Sequence, residues 1–88
     1  MPMWGLDVQQ VRQLGTQLTQ KAGEIETLLS TLNNALTGTQ WEGPDATNFR
    51  NEWSGQHTAA LRNVANALRE AGTKATQNAS QQESTSSN

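Results

Sequence analysis

The chain has 88 residues, no cysteine and one histidine, so disulfides, thiolate metal sites and multi-histidine sites are excluded. Six Lys+Arg against eight Asp+Glu give a net charge of −2, which argues against the clustered basic footprint of a nucleic-acid binder and against a polybasic membrane-surface helix. A chain this short buries a limited share of its surface and usually needs a staple; with disulfides and metals removed, oligomerisation is the staple that remains.

Residues 1–6 read as a short lead. They lack the basic and apolar regions of a general secretory signal, and no run in the chain approaches the roughly 20 apolar residues of a spanning helix. Trp4 and Leu6 are placed either to fold back as a hydrophobic staple or to touch a partner.

Residues 7–37 contain no proline and read as one helix. Val11, Leu14, Leu18, Ala22, Ile25, Leu28, Leu29, Leu32, Ala35 and Leu36 recur in steps of three and four, the stripe of an amphipathic helix. Asp7 is a plausible N-cap, since its carboxylate accepts from the free amides of the first turn. Gln9, Arg12, Gln13, Gln17, Gln20, Glu24 and Thr27 form the solvated side. Residues 38–43 break the pattern. Gly38 is expected to end the helix in a left-handed conformation, and Gly43-Pro44-Asp45 restarts one, with proline at the first helical position and an acid on the positive end of the dipole.

The second helix is expected over residues 44–76, with a stripe of Ala46, Phe49, Trp53, His57, Ala60, Leu61, Val64, Leu68, Ala71 and Ala75. A connection this short folds the two helices antiparallel. If the turn centres near Trp41, residues whose numbers sum to about 84 face each other, bringing Leu36 to Phe49, Leu32 to Trp53, Ile25 to Ala60 and Leu61, Leu18 to Val64 and Leu68, and Leu14 to Ala71. Glycines 15, 23, 55 and 72 each weaken a helix by roughly 1 kcal/mol against alanine, which is easier to understand where backbones approach closely. Residues 77–88 are mostly Gln, Ser, Asn and Thr with one charge, Glu83, and read as a frayed or disordered polar tail.

The fold class expected is all-α: an antiparallel two-helix hairpin that dimerises into a four-helix bundle. Both stripes are wider than one seam. Leu28 with Leu29, Ala35 with Leu36, and Ala60 with Leu61 are sequence neighbours about 100° apart on a helix, so one of each pair points away from the intramolecular partner. A contiguous strip of that kind marks a partner site, assigned to Leu28, Leu29, Leu36, Leu61, Val64 and Leu68. No cofactor, metal or catalytic residue is expected. No nucleophile has a recognisable base, the glycine-rich turn lacks the Lys-Ser/Thr of a phosphate loop, and a lone helical His57 is more often packed or half-exposed than a ligand, although an imidazole at an interface would make it pH-dependent.

The turn carries Trp41-Glu42-Gly43, a tripeptide pattern that Trp53-Ser54-Gly55 also satisfies. Context separates them: Trp41 lies in the break, where its ring closes the end of the bundle beside a glycine that lets the chain reverse, whereas Trp53 lies on the helix stripe as core. With Trp41-Glu42-Gly43-Pro44-Asp45-Ala46 followed by Phe49 and Trp53, residues 7 to about 76 resemble the WXG family, the small early-secreted-antigen-like proteins of bacterial type VII secretion. The resemblance implies a hairpin paired with itself or with a paralogous hairpin. It implies export, folded and paired, through an ATPase-driven membrane machine without a cleaved signal, so cytoplasmic before export and extracellular after it. It also implies that Trp41 and Gly43 lie where part of the export recognition surface is. Many members carry Tyr-x-x-x-Asp/Glu after the second helix. This chain has no tyrosine, so the resemblance points to a signal on a partner or to a variant in the tail. Two other functions fit the residues less well: a cytosolic chaperone-like module escorting a larger secreted toxin, and membrane disruption, for which the outer faces lack Lys and Arg.

Overall fold

The computed structural model describes residues 7–87. Those residues are helical without a strand: α1 spans Val8–Gly38, α2 spans Pro44–Glu52, a π-turn follows at Trp53–His57, and α3 spans Thr58–Ser87. The last three run on without a gap and form one return arm. It lies antiparallel to α1, as the pairing of Arg12 with Glu83 and of Asn33 with Trp53 requires. The hairpin is a rod of 65 × 18 × 14 Å.

The helix starts and the end of α1 fall where the sequence puts them, but that end is capped differently. Asp7 is extended and its side chain accepts from the Gln10 N–H at 3.0 Å, closing one of the amides that a first turn leaves free. At the other end Gly38 does not take the left-handed conformation expected of it: Thr39 caps α1 in an extended conformation, and the positive-φ glycine of the described residues is Gly43, at φ 118°. The reason lies in the carbonyls. The Thr39 hydroxyl donates to Ala35 O at 2.6 Å and Arg50 donates to Leu36 O at 3.2 Å, so the last turn is satisfied by side chains instead of a reversed backbone. The reversal happens later, at Gly43, whose φ and ψ of 118° and 173° belong to a region almost reserved for glycine.

The seam between the arms is a heptad seam of small residues. Gly15, Ala22 and Leu29 are buried at steps of seven along α1, and Thr58, Ala65, Gly72 and Ala79 at steps of seven along α3. Such spacing keeps one narrow stripe facing a single partner helix. Ala46 and Trp53 hold the same stripe in the first part of the return arm.

From Trp53 to Thr58 the step is five, and this corrects the stripe read from the sequence. The Thr58 N–H and its hydroxyl both donate to Trp53 O, the hydroxyl at 2.6 Å, so the chain holds one residue more than an α-turn does. Everything beyond slips by one position. Thr58, Ala65 and Gly72 enter the seam, while His57, Ala60, Val64 and Ala71, expected on it, are exposed. Beyond it the facing pairs move accordingly, Gly72 meeting Gly15; before it Trp53 donates to Asn33 and lines one notch with Leu32.

Two of the helical glycines mark a close approach. A Cβ on Gly15 would stand 2.9 Å from Gly72 O and 2.6 Å from the Thr76 hydroxyl. One on Gly72 would stand 2.8 Å from Gly15 O and 2.6 Å from the Thr19 hydroxyl. Each threonine donates back to its own glycine's carbonyl, Thr19 to Gly15 at 3.1 Å and Thr76 to Gly72 at 3.0 Å. The crossing is therefore built from two copies of one Gly-x-x-x-Thr device. Gly23 and Gly55 face open space.

The polar tail is a second correction. The helix continues past Thr76 to Ser87. Ala79 is fully buried, Gln82 half-buried, and Arg12 of α1 donates to the Glu83 carboxylate at 3.1 Å and to the Ser80 hydroxyl at 3.4 Å. Composition hides these contacts, because one alanine per two turns is enough to continue a seam that is already made of small residues. Trp4 and Leu6 lie outside the described residues.

Candidate functional site

The buried row divides each arm into two sides. On α1, Leu14, Leu18, Ile25, Leu28 and Leu32 lie to one side of Gly15, Ala22 and Leu29; Arg12, Glu26 and Asn33 lie to the other. On α3, Leu61, Val64 and Leu68 lie to one side of Ala65 and Gly72, and Arg62, Asn66 and Arg69 to the other. The ion pairs of Arg69 with Glu26 and Arg12 with Glu83 join the polar sides across the seam. The apolar sides are thereby left together on the opposite face.

The polar face is closed on itself. Arg69 grips both oxygens of Glu26, one at 2.8 Å, and that hydrogen bond holds the Glu26 carboxyl below its ordinary range and the Arg69 guanidinium above its own. A shallow groove there is lined by Glu26, Ser30, Asn33, Arg62 and Asn66 over Leu29. Asn33 Oδ1 also takes the Trp53 indole N–H at 2.7 Å, satisfying the polar tip of a ring that is otherwise buried. Among the described residues no buried side-chain nitrogen or oxygen lacks a partner, and no cluster of His, Cys, Asp or Glu has the makings of a metal site.

The apolar face is open. Leu14, Leu28 and Val64 are 49%, 46% and 47% exposed, and Leu32 and Phe49 are exposed as well. The six residues assigned from sequence to a partner surface divide among three environments. Leu28 and Val64 stand on this face; Leu36, Leu61 and Leu68 are half-buried at its inner edge; Leu29 is buried in the hairpin's own seam and is not free for a partner. In each neighbouring pair read from the sequence, one member does point away: Leu28, Ala35 and Ala60 are exposed. Toward the turn the face deepens into an apolar notch of about 190 Å³ lined by Leu32, Ala35, Leu36, Thr39, Phe49 and Trp53.

At the turn, Trp41 is 42% exposed, with its ring 6.0 Å from Phe49, which in turn stacks on Trp53 at 6.3 Å. The side chain that organises this end was not singled out from the sequence. Arg50 donates to Trp41 O at 2.6 Å and to the carbonyls of Leu36 and Thr39 at 3.2 Å each, while its guanidinium lies 5.8 Å from the Trp41 ring centre. A lone arginine nearly two turns into a helix carries no spacing signal for this, since two of its acceptors belong to the end of the other arm.

No family model, curated protein or solved structure matches the chain. Among the described residues no helix is long and apolar enough to cross a membrane. What the molecule offers a partner is thus read from its own surface: one ion-paired face, one leucine-rich face, and an aromatic turn where they meet.

Proposed function

We propose that this chain is a non-enzymatic pairing module: a helical hairpin that covers its leucine-rich face with a second hairpin, its own copy or a paralogue, in a four-helix bundle. The observation that carries the reading is the row of exposed large apolar side chains confined to one face, Leu14, Leu28, Leu32 and Val64. Monomers rarely leave such a strip uncovered, and two strips of this length packed together form the seam of a bundle.

The resemblance of the Trp41-Glu42-Gly43 turn to the WXG family extends the proposal. The paired hairpins are substrates of a type VII secretion machine and act outside the cell as an adaptor or effector. The turn end with Trp41 and Gly43 belongs to the surface the membrane ATPase recognises. Because the sequence contains no tyrosine, the proposal assigns the export signal to the partner hairpin or to a variant in the tail.

Two measurements test the two halves. The mass of the purified protein in solution, with and without a co-encoded hairpin, reports pairing; dimer or 1:1 complex is expected. Its presence in culture fluid, lost when the ATPase is inactivated, reports export. Retention in the cytosol with a working machine, in stable complex with one larger protein, would replace the export reading with that of an escort.

A further inference from the structure

We propose that Arg50 is a positioning residue: it holds the Thr39–Gly43 connection so that Trp41 and Phe49 stand as one ordered aromatic contact surface at the turn. The inference rests on the pairing reading above and adds the side chain that readies this part of the surface.

The connection has little else to order it. Among the described residues, the backbone–backbone hydrogen bond outside the helices that involves it is Thr47 N–H to Gly43 O at 3.0 Å. The three carbonyls that Arg50 takes, Leu36, Thr39 and Trp41, come from the last turn of α1 and from the connection, so one planar group ties the start and the middle of the connection to the end of α1. The same guanidinium lies 5.8 Å from the Trp41 ring centre, and Phe49 lies 6.0 Å from that ring. The indole thus has a neighbour in Arg50 and another in Phe49, yet remains 42% exposed. A partner then meets an aromatic surface that is already in place, which removes an ordering cost from association. Phe49 also lines the apolar notch with Leu32 and Leu36, so the positioned ring is continuous with the leucine-rich face. The fork shape is what the task needs: lysine keeps the charge but presents its donors from one nitrogen and does not span three carbonyls.

The test uses the full chain labelled with 5-fluorotryptophan, its three fluorine resonances assigned by single Trp→Phe variants, in wild type, R50M and R50K. Both substitutions are expected to move the Trp41 resonance toward that of the free amino acid and raise its quenching by acrylamide. They should leave the Trp53 resonance and the helical circular dichroism in place, and weaken association by about tenfold, the loss of one immobilised aromatic contact. A Trp41 resonance unmoved in R50M, restored in R50K, or displaced together with that of Trp53 overturns the positioning role. A Trp41 resonance that moves while association stays at the wild-type constant overturns its place in the contact surface. A wild type that is monomeric at every concentration and with every hairpin partner contradicts the pairing reading itself, and the Trp41 resonance still decides, separately, whether Arg50 holds the ring.

Discussion

The two long faces of the hairpin come from the same pair of helices and treat water in opposite ways. One face spends its charges on the molecule itself: Glu26 with Arg69 and Arg12 with Glu83 bridge the arms. The other leaves Leu14, Leu28, Leu32 and Val64 uncovered. Exposed ion pairs contribute little to stability, and the seam between the faces is mostly glycine and alanine, which bury little apolar area. The difference teaches where the missing stability lies. On the pairing proposed above, a rod with so thin a core would gain most by covering its leucine face, and its ion-paired face would be the wrong side for an apolar partner.

The largest effect is expected where both faces are supported. Leu29 is 4% exposed, the large aliphatic side chain buried in the seam of α1. Leu29→Ala should lower unfolding stability by about 2–5 kcal/mol, read as a fall in the midpoint of urea denaturation and loss of both pairing and helicity. Next comes the open face by itself. The double variant Leu28→Glu with Val64→Glu places charge on two side chains that the hairpin leaves 46% and 47% exposed, so association should weaken by about a hundredfold, with the arms still helical at concentrations where the wild type is also monomeric. The same change on the polar face, Ser30→Glu, should leave association at its wild-type value; equal losses from both faces would erase the contrast between them.

A smaller effect separates the two kinds of helical glycine. Gly72→Ala places a methyl 2.8 Å from a backbone carbonyl that cannot swing away, and overpacking of this sort costs about 1–3 kcal/mol against the roughly 1 kcal/mol that alanine gains in a helix. The midpoint should fall. Gly23→Ala meets nothing within 4 Å in the hairpin and should raise it by up to about 1 kcal/mol.

The smallest effect is the pH dependence of the ion-paired face. The Arg69 hydrogen bond depresses the Glu26 carboxyl in the folded protein, so the folded state binds its proton less readily than the unfolded chain does. The contribution is present at neutral pH, where both states are ionised, and is lost as pH falls through the folded-state value. Glu26→Gln should remove that acid-side slope from a plot of melting temperature against pH: slightly below wild type at neutral pH, where the contribution is present, and level with it once pH has fallen through the folded-state value.

The α1 stripe was legible because nothing interrupts its period between the Asp7 cap and Leu36. The turn was legible from Gly43-Pro44-Asp45 and the end of α1 from Gly38, although Gly38 does not take the left-handed conformation expected of it and the positive φ falls at Gly43. Side chains from elsewhere, Thr39 and Arg50, close the last carbonyls, and no local pattern announces them. The return arm was legible as a helix and misread in phase beyond Trp53. A π-turn changes the seam from His57, Val64 and Ala71 to Thr58, Ala65 and Gly72, and its cause, one hydroxyl and one amide on the Trp53 carbonyl, is a choice between hydrogen bonds that periodicity does not record. Composition also concealed the end of α3, because a seam of alanines resembles a polar tail. Of the residues assigned to a partner surface, Leu28 and Val64 are exposed, Val64 in a phase that the π-turn altered, and Leu29 is buried in the seam, since neighbours 100° apart on a helix share a stripe without sharing a face.

The open face is tested most directly by the mass of the protein in solution across a wide concentration range, wild type beside the Leu28→Glu, Val64→Glu double variant. A wild type at twice the chain mass, or in 1:1 complex with a co-encoded hairpin, and a double variant at the single-chain mass in both settings, is the result this account predicts. A wild type that stays at the single-chain mass under all of these conditions, with its leucine face still bare, would contradict it.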